Sequence, residues 1–205
     1  MKVPLRYQIT EYDCGPTSLL NAVSYLFDRE QIPPDVPKYI MMYCLDAYNG
    51  KGEFGKNGTS RMAMMFLSNW LNQFSRAKKF PLSCDYLSGE EVGVSRHSAL
   101  VGALQQGGVV VLRLWYGCQH YVLLTGACGD GVDMFDPYYR KRPFGRSGIA
   151  LVPDGASCNR RVTFDVLNSE GRTPYALGQM DDREAVVLFN RETRQTAERT
   201  IEYFL

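Results

Sequence analysis

At 205 residues the chain is long enough for one well-buried domain or two small ones. Its 45% hydrophobic and 22% charged content is ordinary for a folded protein, neither disordered nor collagen-like. Lys plus Arg (23) nearly cancels Asp plus Glu (22), which argues against a nucleic-acid binder or a partner of acidic membranes.

No run of residues reaches membrane-spanning length, and the start, Met1 to Arg6, lacks the apolar core of a signal peptide. The expected compartment is the cytoplasm. Six cysteines (14, 44, 84, 118, 128 and 158) stand apart with no Cys-x-x-Cys pair. That spacing suits neither structural zinc nor a disulfide framework, and most of these residues read as small buried hydrophobes. Cys118 lies two residues before His120, but no further ligands stand at metal-binding spacing. No cofactor is implied.

In chain order, residues 1–13 read as an extended lead-in. A helix is expected over about 14–28, where apolar residues at 19, 20, 23, 26 and 27 form one buried stripe. Asp13 suits its N-cap and Gly15-Pro16 its first turn. Pro33, Pro34 and Pro37 break the chain beyond this helix, and a second helix is expected over about 37–48. Residues 49–58 read as a mobile surface loop. Within it Asn57-Gly58-Thr59 matches the glycosylation pattern but is read as a turn. A third helix, capped by Thr59 or Ser60, has apolar positions at 63, 66, 67, 70, 71 and 74, and Met62, Met64 and Met65 are read as core filler. Next come a short strand around 83–87 and a short helix over 95–106, ended by Gly107-Gly108. His97 is read as a surface residue of that helix's first turn.

The period then changes. Residues 109–115 are β-branched and apolar, 120–126 and 132–135 make two further strands, and Asp136-Pro137 closes the meander. Further short strands are expected at 149–152, 162–167 and 185–190, and a C-terminal helix over 192–205 with Ala197, Ile201 and Phe204 at helical spacing. Arg140-Lys141-Arg142, with Arg160-Arg161 beyond, is a local basic cluster read as a solvated loop. Helices first and strands afterwards imply an α+β fold, with N-terminal helices packed on one side of an antiparallel sheet. The whole chain is read as one domain, helical over about 1–107 and β over about 108–205.

Four residues carry chemistry. Cys14 falls at the N-terminus of a mostly buried helix, where unsatisfied N–H groups and the helix dipole stabilise negative charge. Gln8, six residues upstream, brings an uncharged amide donor. His120 opens one strand and Asp136 closes the next, and adjacent strands lie ~4.8 Å apart. Asp136 can therefore hold the imidazole while the other ring nitrogen takes the Cys14 proton. Together they offer a nucleophile, a base, an orienter and half an oxyanion hole.

The motifs Gln8-x5-Cys14-Gly15-Pro16, Gly58-Thr59-Ser60, His120-Tyr121-Val122-Leu123-Leu124 and Asp136-Pro137 resemble papain-like cysteine peptidases. The closer resemblance is to the bacteriocin-processing, double-glycine leader peptidase family and its stand-alone relatives, over roughly residues 5–140. It implies a papain-like fold and a thiol hydrolase acting on a peptide or protein substrate. Cys14 would be its nucleophile, His120 its base and acid, and Asp136 its orienter. Gln8 would hold the oxyanion together with the Cys14 backbone N–H. Two departures stand out: the family's best-known members are domains of membrane exporters, and residues 140–205 do not match the family pattern. Leader removal is thus one candidate among amide-bond reactions. An acyltransferase or transpeptidase would use the same triad, and a non-catalytic peptide-binding module would keep only the groove.

Overall fold

A computed structural model describes residues 1–153 and 155–196. Its helices are α1 (Cys14–Leu26), α2 (Asp35–Cys44), α3 (Arg61–Lys78), α4 (Ala99–Gln105) and α5 (Phe164–Leu167). Its strands are β1 (Leu82–Ser88), β2 (Val109–Trp115), β3 (Gln119–Cys128), β4 (Gly131–Phe135), β5 (Ile149–Leu151), β6 (Arg160–Thr163) and β7 (Glu184–Asn190). They form one antiparallel sheet in the order β1-β7-β2-β3-β4-β6-β5. The fold is α+β. Among the described residues no helix is long and apolar enough to cross a membrane.

Alternation along the central strands divides the core between two faces. Val109, Val111, Tyr121, Leu123, Val186 and Leu188 point toward α1, α2 and α3. Val110, Leu112, Leu114, Val122, Leu124 and Val187 point the other way, toward α4 and α5. The expectation of helices on one side is therefore corrected: α4 covers the second face. The run Val109–Leu112 is fully buried because both of its faces are covered, which is why it reads as continuous apolar sequence.

α1 lies against β3, with ten of its thirteen residues buried. Ser18, one turn after Cys14, donates its hydroxyl to the Tyr121 carbonyl at 3.0 Å. This sets the start of α1 beside the start of β3. α2 begins two residues before its expected place, with Pro37 in a first turn that needs no N–H. The stripe of α3 is rotated from its expected face: Ala63, Met64, Leu67 and Leu71 are buried, while Phe66 is 48% and Met62 67% exposed. Two contacts set this rotation. Asn72 pairs through its amide with the N–H and C=O of Cys84 in β1. Phe66 and Trp70 are drawn sideways onto Tyr43 and Tyr39 of α2.

Residues 48–55 form a small hairpin, with Tyr48 bridged to Phe54 and Asn49 Oδ1 accepting from the N–H groups of Lys51 and Glu53. The strand expected over 162–167 stops at Thr163, and the chain turns directly into α5. His97 is exposed in a turn before α4, whose N-cap is Ser98. Of the C-terminal helix expected over 192–205, residues 192–196 are turn or irregular chain, and Ala197, Ile201 and Phe204 lie outside the described residues.

Gly15 is required by packing. A Cβ there would meet Thr59 Oγ1 at 2.2 Å and Thr59 Cβ at 2.8 Å, because the segment before α3 presses on the first turn of α1. Gly15→Ala should lower stability by about 1–3 kcal/mol through overpacking. Adding Thr59→Ala, which removes the nearest atom, should restore part of that loss in denaturant melts. Simple addition of the two single-variant effects would dissociate the two sites.

Candidate active site

α1 starts without a side-chain cap. The expected capping by Asp13 is corrected. Its carboxylate turns back to accept from the N–H groups of Ile9 and Thr10 and from the Thr10 hydroxyl. Asp13 thus folds the lead-in against the helix, while the first-turn N–H groups, that of Cys14 among them, keep no side-chain partner.

His120 and Asp136 meet as diagonal neighbours. β3 and β4 pair Leu123 with Phe135. One more step of that register sets Asp136 beside Val122, on the same face as His120 and one pleat away. His120 Nε2 lies 2.8 Å from Asp136 Oδ1 in a site where His120 is 5% and Asp136 0% exposed. Nδ1 is then the nitrogen left for Cys14. Burial would lower the His120 pKa, but the Asp136 charge, its hydrogen bond and the nearby Cys14 sulfur outweigh it. Together they raise the pKa from 6.5 to about 10. Burial pushes the Asp136 carboxyl up, and the charge and hydrogen bond of His120, with the Tyr175 hydroxyl, overcome this and hold it below its usual value.

Three residues beyond the resemblance complete this arrangement. Tyr175 donates its hydroxyl to Asp136 Oδ2 at 2.6 Å and accepts from Arg160 Nε at 3.1 Å. Asn159 pairs with both backbone groups of Asp136 at 2.8 Å. The buried Arg160 also donates to the carbonyls of Asn159 and Tyr138. Tyr116 packs on the His120 ring and stacks on Tyr175. Tyr175 holds φ +66, a left-handed conformation rare for a bulky side chain, fixed by its N–H donating to the Trp115 carbonyl while the Trp115 N–H donates to the Ala176 carbonyl. No spacing rule links residues 159, 160 and 175 to Asp136, so the sequence shows Arg160 only as part of a basic cluster and does not mark Asn159 or Tyr175.

Cys14 and His120 line one cavity of about 560 Å³, whose wall also includes Tyr12, Thr59, Arg113 and Gln119. Gln8 is not in that wall. Its backbone N–H bonds the Pro137 carbonyl at 2.9 Å, its Nε2 donates to the Thr10 carbonyl at 2.8 Å, and its Oε1 is buried without a partner. Three of the four candidate residues thus converge directly, and Gln8 sits on the lead-in strapped to the Asp136 segment. The 560 Å³ space is more polar than a second cavity of about 370 Å³ between the lead-in, α1 and α2, which contains none of the four.

The basic cluster disperses. Arg140 packs over Phe144 and reaches the Tyr116 hydroxyl, Arg160 is buried behind Asp136, and Arg161 pairs with Asp133 on the outer face. Lys141 and Arg142 are exposed, as a solvated loop requires. All six cysteines are unpaired. Cys14, Cys44, Cys84 and Cys158 are buried, but Cys118 and Cys128 are exposed.

No protein-family model matches the sequence, and no curated protein matches it. Solved structures similar to the chain include the following three. One is a double-glycine-motif protease from an AMS/PCAT transporter in complex with the leader peptide (13% identity, TM-score 0.42, covering 92% of this chain and 90% of that one). Another is the peptidase domain of Streptococcus ComA, a bifunctional ABC transporter of a quorum-sensing pathway (15%, 0.45, 91% and 97%). The third is a Bacillus anthracis protein described as a C39-like peptidase (15%, 0.47, 90% and 94%).

The His120–Asp136 pair makes stability depend on pH. The raised His120 pKa contributes stability that is complete below 6.5 and lost as pH rises through about 10. The lowered Asp136 pKa contributes above 3.8 and is lost as pH falls through its folded value. Melting temperature should therefore decline between pH 6.5 and 10. His120→Gln, which cannot titrate, should melt lower at neutral pH and show a flatter decline. An unchanged slope in that variant would assign the decline to other groups.

Proposed function

We propose that the protein is a papain-like thiol hydrolase that cleaves a peptide or related amide bond. The observation that carries this reading is the shared cavity of Cys14 and His120, with the imidazole held from behind by Asp136 at 2.8 Å. Cys14 is the nucleophile, at a helix start that stabilises anionic sulfur. The Cys14 thiol proton passes to His120, sulfur attacks the substrate carbonyl, and the tetrahedral oxyanion accepts a hydrogen bond from the Cys14 backbone N–H. His120 passes a proton to the departing amine, leaving a thioester. His120 then takes a proton from water, whose oxygen attacks the thioester. The acid departs, and the proton returns to sulfur. Asp136 stays ionised throughout and stabilises the imidazolium.

Gln8 is the second oxyanion donor in this reading. Its NH2 group has two hydrogens, one given to Thr10 and one remaining for the substrate. A peptide or protein fits as substrate, and an amine in place of water would make the same site an acyltransferase. Six unpaired thiols suit a reducing compartment such as the cytoplasm.

Alkylation tests the nucleophile without a known substrate. Iodoacetamide near pH 6 should label Cys14 before the other cysteines: burial pushes the Cys44 thiol up to about 12 and also raises Cys84 and Cys158, and the exposed Cys118 and Cys128 do not stand at a helix start. Cys14→Ser should remove the fast phase and His120→Ala should suppress it, as read by mass spectrometry of digested protein. Slow, uniform labelling would leave Cys14 a structural residue and overturn the proposal.

Gln8→Ala separates the oxyanion role from an anchoring one. Fast labelling and the melting temperature should persist, while kcat on a cleaved peptide falls by about a hundred- to a thousand-fold. A lower melting temperature with kcat per folded molecule unchanged would make Gln8 an anchor of the lead-in.

A further inference from the structure

Arg113 is a cation in the wall of the Cys14 cavity that the triad does not use. It sits in β2 directly across from Tyr121, one residue before the Leu114–His120 pair. Its Nε is buried with no hydrogen-bond partner, and its Nη1 reaches only the Asp182 carbonyl at 3.5 Å. A guanidinium placed for structure alone would have its fork filled, as that of Arg160 is.

The neighbouring charges do not fill it. The β2–β7 register, which pairs Leu112 with Ala185, brings Glu184 alongside. Glu184 is already engaged by Arg61 and by the hydroxyls of Tyr86 and Tyr121. Lys56, also in the wall, is paired with Glu53. Glu11 lies in the wall as well but forms no ion pair with Arg113, and no other described carboxylate does.

We infer that Arg113 forms an anion subsite of the Cys14 cavity that selects a substrate carrying a carboxylate, an acidic side chain or chain end, near the bond attacked. The inference rests on Cys14 being the nucleophile. The guanidinium brings its charge into the cavity wall, its Nη groups suit N–H···O bonds to a carboxylate, and the half-buried position of Arg113 strengthens such a contact. An uncharged substrate would leave the guanidinium without an anion, which is how an unpaired charge discriminates.

The test compares reagents that differ only in charge. Iodoacetate is set against iodoacetamide, and the α-amide of N-bromoacetyl-glutamic acid against that of N-bromoacetyl-glutamine, whose carboxylate reaches further. Each rate at Cys14 is divided by the rate with free cysteine. The acidic member of at least one pair should be favoured by about five-fold or more. The preference should shrink in high salt, fall but keep its sign in Arg113→Lys, which retains the charge without the planar fork, and collapse in Arg113→Met. Arg113→Gln replaces the Met variant if that one does not fold. An acid-to-neutral ratio near one in wild type, or one unchanged without the Arg113 charge, overturns the subsite while the neutral reagents still report Cys14 as nucleophile. Slow labelling of Cys14 by the neutral reagents overturns the nucleophile reading, and the subsite with it.

Discussion

The docking of α1 along β3 is the constraint on which the site depends. Ser18 donates to the Tyr121 carbonyl from one turn beyond Cys14, and His120 is the residue before Tyr121. A helix advances about 5.4 Å per turn, so one hydrogen bond fixes both the height of Cys14 and its rotation relative to the imidazole. The packing of Leu19, Val23 and Leu26 against the sheet supplies the energy, but apolar contact alone would allow sliding. The buried hydroxyl does not, because a displaced Ser18 would leave its oxygen and a carbonyl unsatisfied.

Burying an ionised Asp136 carries a large desolvation cost, and the surrounding shell offsets it. The carboxylate accepts from His120, the Tyr138 N–H and the Tyr175 hydroxyl, and Arg160 stands one bond further back. Two of these groups come from the stretch after residue 140, which has no role in the motifs near the start of the chain. That stretch therefore acts as the outer support of the His120–Asp136 pair. The left-handed Tyr175 is the strained point of this support, kept in place by the Trp115 strand and by burial on all sides.

A recurring device joins the elements. Asn21 pairs by its side-chain amide with both backbone groups of Arg6, Asn72 with those of Cys84, Asn159 with those of Asp136 and Asn168 with those of Val94. Each mimics one rung of a β-ladder and satisfies backbone that no strand reaches. Two of the four hold segments that frame the site, the lead-in at Arg6 and the strand end at Asp136. The lead-in is also strapped by Asp13 and by the Gln8–Pro137 backbone bond, so the chain before Cys14 is tied at both of its ends.

The sequence by itself determined what local periodicity and spacing encode. The amphipathic stripe of α1, the Ser60 cap of α3, the β2–β3–β4 meander and the Cys14, His120 and Asp136 positions are all readable, because each rests on neighbours within a few turns or one hairpin. The tertiary structure decided the rest. Placement of the last described strand, β7, between β1 and β2 depends on pairings as distant in sequence as Leu82 with Asn190 and Leu112 with Ala185, and no local pattern specifies a partner at that range. The rotation of α3 was set by aromatic contacts with α2, and the second helical face by α4 lying on a strand that reads as apolar throughout. Tyr175, Asn159, Arg160 and Arg113 acquire meaning only from what surrounds them. A buried donor or acceptor is identified by its partner, or by the lack of one, and that is a property of three-dimensional packing.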